Sequence, residues 1–382
     1  MTRRERLMAT LRGEPVDRPA VNFYEIGGFK VDPSDPDPFN IYNSPSWQPL
    51  FELAEECTDI IRMRSPATTH SSDNCASEFF TSETFVEDGS RFTRTTLRVA
   101  GRTMSSMSRQ DPNVATVWVI EPLLKNLEDL EAYLQIPNEA FKYEINIDEL
   151  EAEDAALGDK GIIMVDMADP LCLAASLFSM EDFTIIAMTE PTIFHKLLQK
   201  SAVRIYPIVE KTAEAFPGHL WRIVGPEYAT EPYLPPKLFK EYVFDYDKPI
   251  IDVIHKHGGF ARVHCHGRIK NVLPIIAEMN ADGIDPIEPP PQGDVELADV
   301  RREYGKQLVL FGNLEASDIE NLPPDEFECV AAKSLADGTS GEGRGFVLMP
   351  SASPYGRTIT PTTLANYQTM VRLATNFGGC TP

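Results

Sequence analysis

From residue 160 onward, short apolar runs alternate with longer amphipathic stretches. The runs are GIIMVDMADP (161–170), HLWRIVGPEYAT (219–230), FARVHCHG (260–267), DGIDPIEPP (282–290), QLVLFGN (307–313) and GFVLMPSAS (345–353). Apolar runs of this length, bounded by Gly, Pro and acidic residues, predict buried strands. Helical patterns fill 179–216, PKLFKEYVFDYDKPIIDVIHKHGG, IKNVLPIIAEMNA, VELADVRREYG, PDEFECVAAKSLADG and TPTTLANYQTMVRLA. Upstream, TRRERLMATLRG predicts a short helix closed by Gly13, PVDRPAVNFYEIGGF a loop and strand, residues 47–57 a helix, and DIIRMRS (59–65) another strand. Strands alternating with helices join in parallel through right-handed crossovers. About eight such units predict an α/β fold, a (β/α)8 TIM barrel, over an open doubly wound sheet. No GxGxxG or P-loop sequence opens any of the helices.

Residues 78–122 break this rhythm. The stretch is rich in Thr, Arg and Ser, alternates in polarity, and carries turn signals at Asp88-Gly89 and Ala100-Gly101. Antiparallel hairpins are predicted, inserted on one face of a single barrel spanning 1–382.

Charge narrows the partners. With 58 Asp+Glu against 35 Lys+Arg, the net charge is −23. Such a field repels nucleic acid and anionic membranes. No run of about 18 apolar residues offers a membrane span, and the opening lacks the apolar core of a signal peptide. Six cysteines (Cys57, Cys75, Cys172, Cys265, Cys329, Cys380) form no CxxC pair, which fits free thiols and a cytoplasmic setting.

In a parallel barrel, chemistry gathers at the C-terminal strand ends. Of seven histidines, four fall between 255 and 266. His255 and His257 precede Gly258-Gly259 at a helix end, where histidine serves the cap and the dipole. His264 and His266 stand two apart on a predicted strand, so both face one way while Cys265 faces the other. They read either as a divalent-metal pair or as core or substrate-binding histidines. Glu288, one unit later, and Glu227, one unit earlier, flank them as candidate carboxylate ligands. Asp166 and Asp169 end another strand and are candidates for general acid–base work, substrate binding or helix capping. Tyr24 and Glu25 occupy the mouth of the first strand beside Gly27-Gly28, and Ser351 and Ser353 that of the last.

Four segments carry a family resemblance: RERLMATLRGEPVDRPAV, HKHGGFARVHCHGRIKNVL, QLVLFGNLEAS and GFVLMPSASPYGRTITPTTLANYQTMV. Together they resemble the uroporphyrinogen decarboxylase superfamily over nearly the whole chain. That superfamily also contains zinc-dependent methyltransferases acting with corrinoid proteins. The decarboxylase branch has an arginine-rich segment near the first strand for its tetrapyrrole carboxylates; VNFYEIGGF has no arginine there. The methyltransferase branch uses His-x-Cys and a later Cys. Here His264 keeps the first position, His266 stands where Cys would be, and Ser351 or Ser353 stands near the later one. The resemblance therefore implies a zinc-dependent methyltransferase with His264, His266 and Glu288 as metal ligands. Asp166 and Glu227 would be catalytic, and Tyr24, Glu25 and Ser351 would bind a small methylated substrate. The harder donor set suits activation of an ether oxygen more than a thiol. A corrinoid protein would be a separate partner, and the resemblance leaves a homodimer open. The alternatives are a metal-free decarboxylase and a non-catalytic barrel subunit.

Overall fold

The computed structural model describes residues 1–29, 31–32 and 34–378; Cys380 lies outside them. Eight parallel strands form one curled sheet: β1 (Ala20–Val21), β2 (Ile60–Arg64), β3 (Gly161–Ala168), β4 (Leu220–Val224), β5 (Phe260–His264), β6 (Gly283–Asp285), β7 (Val309–Leu314) and β8 (Phe346–Pro350). Their order is β1-β8-β7-β6-β5-β4-β3-β2, so each strand from β2 to β8 neighbours its successor in sequence and β8 returns to β1. This is the TIM-like barrel that the alternation predicts.

Two apolar layers hold it. Inside, Ile61, Ile162, Leu220, Val309, Phe311 and Val347 fill the barrel. Outside, the alternate strand positions pack against the helices; Ile163, Val165, Trp221, Val263 and Ile284 are all buried there. Strands buried on both faces read as continuous apolar runs, which is why the pattern was legible. The strands are shorter than their runs. Pro286, directly after β6, lacks the N–H that would extend the ladder, and β4 stops before Gly225-Pro226.

The seam between β1 and β2 is closed by one residue. The Asp59 N–H donates to the Val21 carbonyl at 2.7 Å, and the Asp59 carboxylate accepts from the Val21 N–H at 2.9 Å. The same buried carboxylate takes Arg6 Nη1 at 2.5 Å and Arg18 Nη1 at 2.8 Å. One acid thus stitches the N-terminal helix (Arg3–Arg12) and both seam strands together.

The 78–122 region forms a four-stranded antiparallel sheet: Phe80–Glu87, Ser90–Val99, Arg102–Gln110 and Val117–Glu121. Its first two turns fall at Asp88-Gly89 and Ala100-Gly101, all four residues with positive φ. That is the geometry two-residue hairpins need, and glycine supplies it without strain.

Asp59→Ala leaves Arg6 and Arg18 buried or half-buried without their shared partner. A loss of ~3–5 kcal/mol in folding stability is expected. Urea denaturation measures it, and an unchanged midpoint would show that the seam is held elsewhere.

Candidate functional site

The barrel interior carries a polar layer. Asp166 of β3, Arg222 of β4 and Arg262 of β5 are register partners across neighbouring strands, so they sit at one height. Arg222 Nε donates to Asp166 Oδ1 at 2.6 Å. One step toward the mouth, His264 is the register partner of Asp285. The fully buried Asp285 joins the two levels: it accepts from Arg262 Nε at 2.6 Å and Nη2 at 2.9 Å, and from His264 Nδ1 at 2.7 Å. Burial alone would raise the Asp285 pKa, but Arg262 and His264 outweigh it and hold the group well below the usual carboxylate range. An ionised carboxylate is acceptor-only. Nδ1 of His264 therefore carries a proton and donates to Asp285, and Nε2 lies outside that bond.

Tyr24 lies over this centre with φ 53°. Its ring stacks on His264 at 6.0 Å between centroids, and its hydroxyl accepts from Arg222 Nη1. Burial, with the Asp285 charge beside it, pushes the Tyr24 phenol far up, so it remains neutral. Glu25 sits 3.7 Å from Arg222; burial nevertheless raises its pKa.

His266 is not on β5, which ends at His264. The alternate inward pair of that strand is Arg262 and His264. The loop still brings the second imidazole alongside the first, with rings 4.6 Å apart and nearly perpendicular at 88°. His266 Nδ1 meets Glu288 Oε1 at 2.8 Å, while Gly267 N–H donates to Glu288 Oε2 at 2.7 Å. Both Glu288 oxygens are thus engaged behind His266, so Glu288 orients that ring and is not placed as a ligand beside it. Among the described residues, no three His, Cys, Asp or Glu side chains converge to hold a metal. What the chain offers zinc is two imidazoles, each backed by a carboxylate, an arrangement that suits zinc-ligating histidines.

The remaining expected residues separate. Asp166 is an acceptor for Arg222 and does not present itself as a donor. Glu227 lies in the turn after β4, and its Oε2 accepts from the Gly225 N–H at 3.1 Å. It lines a cleft of about 510 Å³ together with Tyr228, Tyr233, His266, Arg268 and Glu288. Asp169 caps the helix Pro170–Ala175. Ser351 is buried with both capacities used, accepting from Ala316 N–H at 3.2 Å and donating to Glu315 Oε2 at 3.3 Å. It serves Glu315 in this arrangement and does not face a ligand.

Glu315 was not foreseen. It follows β7, is 8% exposed, and its Oε1 is buried without a hydrogen-bond partner. Burial, reinforced by the Glu288 charge, lifts its pKa to about 7, against the pull of Ser351. Arg222 and Arg262 were also missed. Their only signal is a charged residue inside an apolar strand, in LWRIV and FARVH.

The sequence signature of the family described as Uroporphyrinogen decarboxylase (URO-D) matches residues 107–377. The chain belongs to that family. No curated protein matches it. Among solved structures, a methyltransferase from Methanosarcina mazei is similar at a TM-score of 0.60 with 14% identity, covering 99% of each chain. That likeness is one of fold. A D-psicose 3-epimerase determined in the presence of D-fructose has a TM-score of only 0.33 at 8% identity, covering 63% of this chain and 77% of its own.

Asp285→Asn removes the charge between Arg262 and His264. A loss of ~3–5 kcal/mol is expected at neutral pH, because a buried guanidinium loses its partner. The folded-state pKa of Asp285 is depressed, so its contribution is full above about pH 5 and fades as pH falls. Acid titration should bring the stabilities of wild type and variant together. A constant gap at all pH values would contradict the ion pair.

Proposed function

We propose that the chain is a methyltransferase that moves a methyl group from a small methylated compound, a methyl ether in particular, to the corrinoid of a separate protein. The observation that carries this is the pair of carboxylate-backed imidazoles beside the cleft. In each ring Nδ1 is taken by a carboxylate, Asp285 or Glu288, which leaves Nε2 outside that bond. Both strand arginines at the mouth are already matched by Asp166 and Asp285. A tetrapyrrole with many carboxylates needs several cations to meet it, since burying unpaired charge costs several kcal/mol per ion, and Arg268 is the one arginine or lysine lining the cleft among the described residues. The full-length likeness to the Methanosarcina mazei methyltransferase supports the same choice within the family.

The chain's own residues divide the work. His264 and His266 present Nε2 toward the reacting centre, fixed by Asp285 and Glu288. Tyr24 covers His264 and excludes water from it. When the methyl group leaves oxygen, the C–O bond breaks and the oxyanion takes up a proton. Glu315 is the carboxyl suited to supply it, since it still holds a proton near neutrality; solvent then restores that proton. Asp166 keeps Arg222 in place instead. Zinc belongs to the proposal as the ion that His264 and His266 would hold through Nε2, and bound there it would supply Lewis acidity toward the ether oxygen.

Three measurements test this. Zinc analysis should find the metal in wild type and not in His264→Ala/His266→Ala; equal content removes the metal. Glu288→Gln should weaken zinc binding by about 10–100-fold without abolishing it, as an orienting residue does. With reduced cobalamin and a methoxylated donor, wild type should form methylcobalamin. Glu315→Gln should lower that rate by about 10²–10⁴-fold. Because the protonated form acts, the wild-type rate should fall as pH rises through about 7. Loss of CO2 from a tetrapyrrole by metal-free protein, with no methyl transfer, would favour the decarboxylase reading.

A further inference from the structure

Two aspartates meet behind the cleft, out of solvent. Asp169 follows β3, and Asp247 stands on the helix Asp245–Lys256; both are 0% exposed. Asp169 Oδ1 accepts from the Cys172 N–H at 2.5 Å. Asp169 Oδ2 and both oxygens of Asp247 receive no N–H or O–H from any other described residue. What each carboxyl does meet is the other, within hydrogen-bond reach. Two ionised carboxylates are both acceptor-only and repel, so a bond between them requires a proton on one.

We propose that Asp169 and Asp247 share one proton and form a pH-sensitive latch behind the cleft wall, with the Asp247 O–H donating to Asp169 and tying its helix to the end of β3. The Cys172 N–H favours the charge on Asp169, which leaves the proton to Asp247. The surroundings hold it there. The titratable groups around the pair are Cys172, Glu227 and Tyr228 in the turn after β4, Cys265 after β5, and Tyr206 on the helix Pro191–Ala215. No cation stands among them, and Arg222, which acts on Cys172, is bonded to Asp166. Burial raises both carboxyls well above the usual carboxylate range, and the Glu227 charge adds to it.

The latch reaches the cleft through Gly225. A Cβ at that position would lie 2.1 Å from Asp169 Oδ1, so the turn packs directly on the carboxyl. The Gly225 N–H in turn holds Glu227 Oε2 at 3.1 Å, on the side that lines the cleft. Loss of the shared proton therefore puts a second negative charge behind that wall.

The folded pair keeps a proton that the unfolded chain releases above about pH 4. Its folded-state pKa is raised, so stability falls as pH climbs from there until the pair itself ionises. Urea denaturation of wild type and Asp247→Asn between about pH 5 and about pH 9 tests this. The asparagine amide still donates to Asp169 but has no proton to lose. Relative to the variant, the wild-type unfolding constant should rise by up to about tenfold per pH unit; Glu315 titrates in both proteins and cancels. Parallel curves overturn the latch. A second readout does not depend on the variant folding. In wild type labelled with 13C at the aspartate side-chain carboxyls, carbon NMR at neutral pH should show a protonated aspartyl carboxyl, and Glu315 is silent there. Aspartates that are all ionised overturn the shared proton.

Discussion

A buried carboxylate with three donors organises the mouth of this barrel. Asp285 accepts a two-point contact from Arg262 and a third hydrogen bond from His264, and its charge is what makes a guanidinium tolerable inside the barrel. The cost of removing these groups from water is offset only when geometry and pairing are both good. That requirement fixes the Arg262 rotamer, the height of His264 and its tautomer together. The site inherits its rigidity from β5 and β6, and so from the barrel itself.

The second imidazole is held by the same logic on softer ground. His266 and Glu288 lie in loops after β5 and β6, and Glu288 is pinned by the Gly267 N–H. One histidine stands on a strand and the other on a loop, each with a carboxylate on Nδ1. Around them the charges are nearly balanced in pairs, Arg222 with Asp166 and Arg262 with Asp285. Glu315 stands apart, because Ser351 meets only one of its oxygens and burial favours the neutral acid. Glu315 is thereby the one acid of this group that burial drives toward its protonated form.

The barrel was legible because strands buried on both faces leave continuous apolar runs and because helices separate them at regular intervals. The inserted hairpins were legible from two turn dipeptides. Strand ends were not, since most ladders stop inside the apolar runs, β4 before Gly225-Pro226 and β6 before Pro286. That shift moved His266 off the strand and made Glu288 its support. His264, Glu288 and Tyr24 were found because a polar residue at a strand mouth is conspicuous. Arg222 and Arg262 were hidden because sequence does not show which carboxylate will face an inward arginine, and Glu315 because its character comes wholly from burial. Ser351 was singled out as a mouth residue, but its hydroxyl is consumed by Glu315 and Ala316.

The direct measurement of the central constraint is the tautomer of His264, read from the ring-nitrogen chemical shifts of 15N-histidine-labelled protein and assigned with His264→Gln. The account predicts a proton on Nδ1 and an unprotonated Nε2, with that signature lost in Asp285→Asn. An Nε2-protonated ring in the wild type would contradict it, since no lone pair would then face the reacting centre.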